Sequence, residues 1–304
     1  VTTFSGPRGI AAVATGERSH PLLAAAWMTG AIFSFTSMAI AGRAVSIELD
    51  TFEILLFRSL IGIALVVSVG AALGTLRGIR ARRMKWHVAR NVSHFTGQNF
   101  WFFAITAAPL AQVFALEFSQ PIWVALLASF VLGERLTRVR LMVIVTGFLG
   151  ILIVARPGFS ALTPGLIAAA AAAIGFAGSA VTTRHLTRTE TVTSILFWLT
   201  VMQTVLGVVC AGLDGEITSP STAAWPWLCV IACAGLFAHL CLTQALSMAP
   251  ATVVIPLDFA RLPVIAIVGM LLYAEPLDGF VFLGAAIILA ANYINVWVEA
   301  RAQQ

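Results

Sequence analysis

Apolar residues in this chain come in blocks about twenty positions long, separated by short polar segments, and not in the alternation of a half-buried strand. Leu141–Ala155 and Gly279–Val298 are two such blocks. A helix needs roughly 20 apolar residues to cross a bilayer. Breaks at glycine, proline and charged residues predict ten crossings: 21–42, 51–73, 87–107, 111–132, 140–155, 164–183, 193–213, 224–246, 251–273 and 278–298. The fifth is short and is expected to extend by a few residues. A membrane barrel would instead show strands of about ten residues alternating apolar and polar. Helices satisfy their own backbone groups in lipid, so the pattern predicts an all-α membrane protein.

Composition points the same way. Of the 304 residues, 60% are hydrophobic and 10% charged, against roughly 25% charged in a soluble domain. A water-facing surface could not be covered. The net charge of +5 raises nucleic acid as a partner, but the basic residues sit in short loops between apolar blocks and read as topology signals. If the N-terminus is internal, fourteen of the 18 Lys and Arg fall on the inner side, counting Arg90 and Arg184 there. Arg43 and Arg156 fall on the outer side, and Arg58 and Arg261 lie within spans. Both termini are therefore expected to be cytoplasmic. Residues 1–20 carry Arg8, Glu17, Arg18 and His20 with no apolar core, which predicts a cytoplasmic tail and not a signal peptide. Cys210, Cys229, Cys233 and Cys241 lie in apolar segments with no His/Asp set to complete a metal site, and read as small packing residues.

The chain also repeats itself. At an offset of 141 residues, Ala108–Leu136 aligns with Ala249–Leu277 without a gap, and eight positions are identical, among them Pro109/Pro250, Phe118/Phe259 and Glu134/Glu275. Glu117/Asp258 is a conservative match, and the offset also pairs Arg43 with Arg184, Phe35 with Phe176 and Trp86 with Trp227. Five helices per copy is an odd number, so the second copy enters the membrane from the opposite side. Inverted repeats of this kind occur in secondary transporters, with the site near mid-membrane between the copies.

Pro109–Leu136 and its counterpart Pro250–Leu277, with Gly133-Glu134-Arg135-Leu136 and Ala274-Glu275-Pro276-Leu277 at their ends, resemble the EamA-type drug/metabolite transporter family and its "GE-L" signature. The resemblance covers the chain beyond the tail. It implies two five-helix repeats, 21–158 and 162–299, and a carrier of amino acids, other metabolites, cofactors or drugs, often outward. It does not imply which.

Ionisable groups inside a span are costly and are functional candidates. His87, Asn91, His94 and Gln98 lie on one face of the third helix, continued by Trp101 and Ile105. Such a stripe lines a cavity or bonds to neighbouring helices; His87, near the interface, is expected to be solvated. The offset superposes polar on polar three times: Gln98/His239, Glu117/Asp258 and Gln120/Arg261. These six, with His94 and Trp101, are the expected ring around the repeat axis. Arg261 would hold an anionic group of the substrate, or else only brace Asp258 three residues away. His94 and His239 would bond substrate or carry protons, or else simply pack. Trp101, Phe102, Trp123 and Phe33 are candidates for an aromatic wall, or for core and lipid-facing positions. Arg58 is expected to pair with Glu117 across helices, or to snorkel. Pro121, Pro256 and Pro263 predict bends in the fourth and ninth helices. Glu134 and Glu275, at helix ends, are expected to cap.

No HExxH motif, Walker loop or paired-Asp motif occurs, so neither an enzyme, a cofactor nor ATP-driven transport by this chain is expected. The expectation is a secondary transporter in a bacterial cytoplasmic membrane, moving a small polar metabolite such as an amino acid by alternating access, outward in preference. Protons are the candidate coupling ion. The alternatives are import of a cofactor-like metabolite, an intramembrane lipid enzyme using His94, His239 and Asp258, and a passive channel.

Overall fold

The computed structural model describes residues 20–108, 110–117, 119–133, 137–155, 163–213 and 216–274, with scattered positions between 283 and 301. Among these residues the regular structure is all helical. It runs α1 (Pro21–Val45), α2 (Thr51–Ala72), α3 (Met84–Ala107), α4 (Leu110–Glu117), α5 (Gln120–Val131), α6 (Arg138–Ala155), α7 (Pro164–Leu186), α8 (Val192–Ala211), α9 (Ala224–Met248), α10 (Ala251–Leu257) and α11 (Arg261–Tyr273). Among the described residues six segments are long and apolar enough to cross a membrane: α1, α2, α7, α8, α9, and α10 with α11; α5 is a shorter apolar helix. Of the expected tenth helix only scattered positions are described, and the tail before His20, Glu134 and Glu275 lie outside the described residues.

Local sequence explains where helices start. Asp50 caps α2 in a reciprocal box with Glu53, accepting from the Glu53 amide at 2.8 Å while the Glu53 carboxylate accepts from the Asp50 amide at 3.0 Å. Thr163 and Thr191 cap α7 and α8.

The expected fourth and ninth spans are each two helices. α4 stops at Glu117 and α5 starts at Gln120; α10 stops at Leu257, and a 3-10 turn over Asp258–Ala260 leads into α11. The two breaks superpose at the offset of 141. They precede the prolines expected to cause them: Pro121 sits in the first turn of α5, where its missing N–H is harmless, and Pro263 is the third residue of α11. The same offset governs the ends of these spans. Ala108 and Ala249 are both extended, at φ/ψ −147°/159° and −148°/159°, as a residue before proline must be.

At the far ends of the spans, Gly133 and Ala274 are both left-handed, with φ of 68° and 53°. Alanine there costs about 1–2 kcal/mol in conformation, partly offset by glycine's larger unfolded-state entropy of about 0.4–1 kcal/mol. Ala274→Gly is therefore expected to stabilise the protein by about 0.5–1 kcal/mol, and Gly133→Ala to destabilise it by a similar amount. Thermal unfolding of both variants in detergent checks this; two shifts of the same sign would refute it.

Packing follows the repeat. α1 lies along α9 and α3 along α7; α2 packs on α8, α5 on α10 and α4 on α11. Exchanging the halves maps this set onto itself. The His20 amide donates to Met248 O at 2.7 Å, and the Trp86 and His185 rings lie 4.0 Å apart. The starts of α1 and α3 and the ends of α7 and α9 thus share one face, called here the near face. At the α3–α7 crossing, Gly97 and Gly175 bring the two backbones together: a Cβ on Gly175 would stand 2.7 Å from Gly97 Cα.

The α2–α3 loop is tied to the start of α8. The Trp198 indole donates to Arg80 O at 2.8 Å, the Arg80 amide donates to Ser194 Oγ at 3.2 Å, and Thr191 Oγ1 donates to Gly78 O at 3.3 Å. On the far face the α8–α9 loop is tied to the start of α2. The Thr218 amide donates to Glu53 Oε1 at 2.6 Å, and Ser221 Oγ donates to Glu48 Oε2 at 2.8 Å.

The exterior carries large apolar side chains on many helices, including Leu22, Val69, Phe103, Phe130, Val209 and Leu271, as a lipid-facing surface requires. Phe33 is 60% exposed and Trp123 37%, so both belong to this outer surface and not to an aromatic wall. Cys229 and Cys233 are also exposed, contrary to a packing role, whereas Cys241 is buried. His87 is not solvated but fully buried, roofed by Trp198 at 6.1 Å between rings. Arg90 and Arg184 are not loop residues. Both are buried in helices, where Arg90 Nε donates to Thr183 Oγ1 at 2.7 Å and Arg184 donates to Leu246 O at 2.6 Å.

Candidate functional site

Polar side chains withheld from lipid collect in the middle of the bundle. A central cavity is lined from α1 by Met28, Phe35 and Met38, from α3 by His94, Gln98 and Trp101, and from the α4–α5 break by Glu117 and Gln120. The second half supplies Phe176, Ser179 and Ala180 of α7, His239 and Leu242 of α9, and Ile255, Asp258 and Arg261 around the α10–α11 break. All three polar pairs related by the offset of 141 meet here. So do His94 and Trp101. The helix breaks explain why: each ends a helical turn at mid-span and presents Glu117 or Asp258 on one side of the break and Gln120 or Arg261 on the other.

Arg261 anchors the cavity floor. It is 3% exposed and forms a buried ion pair with Glu117 and a second, at 2.9 Å, with Asp258. The Phe35 and Phe114 rings stand 5.4 and 5.0 Å from its guanidinium carbon, within cation–π range. Glu117 also accepts from the Trp101 indole N–H at 2.6 Å. Two carboxylates against one guanidinium leave the triad one negative charge, and Asp258 Oδ1 has no hydrogen-bond partner. Arg261 thus makes the expected brace to Asp258, with Glu117 as a second carboxylate partner.

The expected Arg58–Glu117 pair does not form. Arg58 Nη2 donates to Gln98 Oε1 at 3.2 Å and Nη1 reaches Met38 Sδ at 3.8 Å. Similar depth on two helices does not make a pair when the side chains point to different neighbours, and Glu117 is turned toward Trp101 and Arg261. Arg58 lines a second, smaller cavity between α2, α8 and α9, with Ser59, Thr200, Gln203 and His239.

His94 and His239 meet edge to face, 4.6 Å between ring centroids, with Phe176 5.8 Å from His94 and Phe35 5.7 Å from His239. Among the described residues neither imidazole bonds to a carboxylate, and the His–Asp pair that a lipid enzyme would use is not assembled. Sequence reasoning missed Phe35 and Phe176 as cavity walls. Their identity at the offset was the available signal.

The cavity lies between two clusters of buried apolar residues. Trp101, Phe102, Val113, Phe114, Phe259 and Leu262 belong to the far cluster. Met28, Val124, Ala128, Val254 and Ile255 belong to the near one.

Residues 22–156 and 163–297 each match the EamA-like transporter family. A riboflavin transporter of Brucella anthropi is 33% identical over 220 residues, covering 71% of this chain and 78% of that protein. An S-adenosylmethionine uptake transporter of Rickettsia bellii is 24% identical over 280 residues, covering 91% of this chain and 94% of that one. Relatives named for uptake and for export both occur among the matches. A solved crystal structure, 19% identical, superposes with a TM-score of 0.75 over 92% of this chain and 99% of the other, and so has the same fold.

Proposed function

The chain belongs to the EamA-like transporter family, and from that premise we propose that it is a secondary transporter moving a small polar metabolite by alternating access. The observation that carries the reading is the central polar cavity, built by both repeats around two superposable helix breaks and flanked by apolar clusters toward each face. Discontinuous helices at a mid-membrane site are a recurrent device of secondary transporters. The full architecture in this reading is ten helices in a five-plus-five inverted repeat, with repeats at 21–158 and 162–299. It sits in a bacterial cytoplasmic membrane with both termini inside. The buried histidines and carboxylates make protons the candidate coupling ion.

For the substrate, two readings compete. Outward movement of an amino acid fits a small polar cavity. Movement of a cofactor-like metabolite is favoured by a specific feature: Phe35, Phe176, Trp101 and the two histidine rings give the cavity flat aromatic walls suited to a heteroaromatic ring. The riboflavin and S-adenosylmethionine named for two relatives both carry such a ring. His94, Gln98, Trp101, Gln120 and His239 are the residues proposed to touch substrate, with Arg261 positioning Glu117 and Asp258.

The test is flux in proteoliposomes loaded or bathed with labelled riboflavin, S-adenosylmethionine and a set of amino acids, under an imposed pH gradient of either sign. Saturable movement of a ring-bearing compound, reduced about tenfold or more in Gln98→Leu, is expected. Saturable movement of amino acids alone would restore the first substrate reading. A continuous, unsaturable leak would replace the carrier with a channel.

A further inference from the structure

Buried charge is unevenly compensated across the bundle. Arg261 has two carboxylates, whereas Arg58, 6% exposed, reaches only an amide oxygen and a thioether. No carboxylate meets Arg58 among the described residues. An uncompensated buried charge costs several kcal/mol, and that cost falls whenever an anion occupies the space beside it. The space is there: Arg58 borders the cavity between α2, α8 and α9. On the same walls the Ser59 hydroxyl, 2% exposed, and both ring nitrogens of His239, 3% exposed, have no hydrogen-bond partner. A guanidinium, a hydroxyl and an imidazole N–H are donors that match an oxyanion. Gln203 Oε1, likewise unpartnered, offers an acceptor to a hydroxyl or N–H next to the acid group.

His239 lines both cavities, and Arg58 touches Gln98 of the central one, so the two spaces adjoin. The electrostatics across them is dipolar: the Arg58 cation lies in the side cavity, and the net negative triad with its open Asp258 oxygen lies in the central one.

We propose that the cavity between α2, α8 and α9 is an oxyanion subsite. It takes the carboxylate or phosphate of the transported molecule while a ring or amino portion lies in the central cavity toward Asp258. The substrate class is then a metabolite bearing an acid group and a cationic or N–H donor group. The word "transported" rests on the reading above; the anion site does not.

The test uses thermal unfolding of the purified full chain in detergent, titrated with sodium acetate, with sodium phosphate and with neutral acetamide at ionic strength held constant with sodium chloride. Acetate or phosphate is expected to raise the midpoint, and acetamide is not. The anion that acts at lower concentration identifies the acid group. Arg58→Gln should raise the required anion concentration about tenfold or more, and Arg58→Lys should keep part of the response. If Arg58→Gln does not fold, Ser59→Ala, which removes only a hydroxyl, should still weaken the response severalfold. Equal shifts in wild type and Arg58→Gln, or no shift with either anion, would overturn the subsite. An Arg58-dependent shift in a protein that moves nothing across proteoliposomes would sink the transport reading and leave the subsite standing.

Discussion

Methionine in place of Arg261 is expected to cost the folded protein about 3–5 kcal/mol, because it leaves two carboxylates buried without their cation. Glu117 is 4% exposed and Asp258 9%, and each is within ion-pair distance of the guanidinium. Without it they repel one another in a buried site. Loss of the contacts with Phe35 and Phe114 adds about 0.5–2 kcal/mol. The sharper test is the combined variant Arg261→Met, Glu117→Gln, Asp258→Asn. Its removal of all three charges should recover most of the stability, while transport stays lost if the triad's negative charge serves the substrate. Chemical or thermal unfolding in detergent gives the first quantity and proteoliposome flux the second. A single Arg261→Met variant as stable as wild type would show that the three groups are not one buried network.

Gly175→Val is expected to be the other severe lesion, preventing α3 and α7 from docking. Even alanine at 175 would place its Cβ 2.7 Å from Gly97 Cα and 2.8 Å from Ser93 O, both backbone atoms that no rotamer change can move. Overpacking a tight contact costs about 1–3 kcal/mol for alanine and more for valine. Small residues at helix crossings are what let backbones approach in a bilayer. Gly178→Ala, about one turn along α7 from the same contact but against the Ser93 side chain at 3.0 Å, should be milder. Folded yield and melting midpoint of Gly175→Ala, Gly175→Val and Gly178→Ala should fall in the order 178 Ala, 175 Ala, 175 Val from least to most damaged. Equal effects at the two sites would mean that the backbone contact is not limiting.

The helical class was legible because membrane spans announce themselves by length and hydropathy. The repeat was legible because Pro109/Pro250 and Glu117/Asp258 are uncommon residue types for such spans. The offset superposed polar on polar at Gln98/His239 and Gln120/Arg261 and so singled these residues out, and the structure brings all four to one cavity. What periodicity could not supply was azimuth between helices. Arg58 and Glu117 share a depth, yet one faces Gln98 and Met38 and the other Trp101 and Arg261. Burial at helix ends was equally hidden: His87 is three residues into α3, but Trp198 of α8 closes over it. Prolines marked the right spans, and the helices part just on the N-terminal side of Pro121 and Pro263, where the missing N–H would have bonded, with Pro256 in the last turn before the second break.

The two loop ties acquire meaning when taken together. Each fastens a loop to the first turns of α2 or α8, on opposite faces, and α2 and α8 pack on each other. A pair of rods clamped at both tips would be the stator of the carrier proposed above. In its rocking cycle α2 and α8 would hold still, and the turning parts would be α1 with α9, α3 with α7, and the broken helices between them. The Arg58 side pocket, walled by α2, α8 and α9, would join frame to rotor, whereas the Glu117–Arg261–Asp258 triad would ride on the rotor alone. A molecule bridging the two would feel every stroke as a change in its own length.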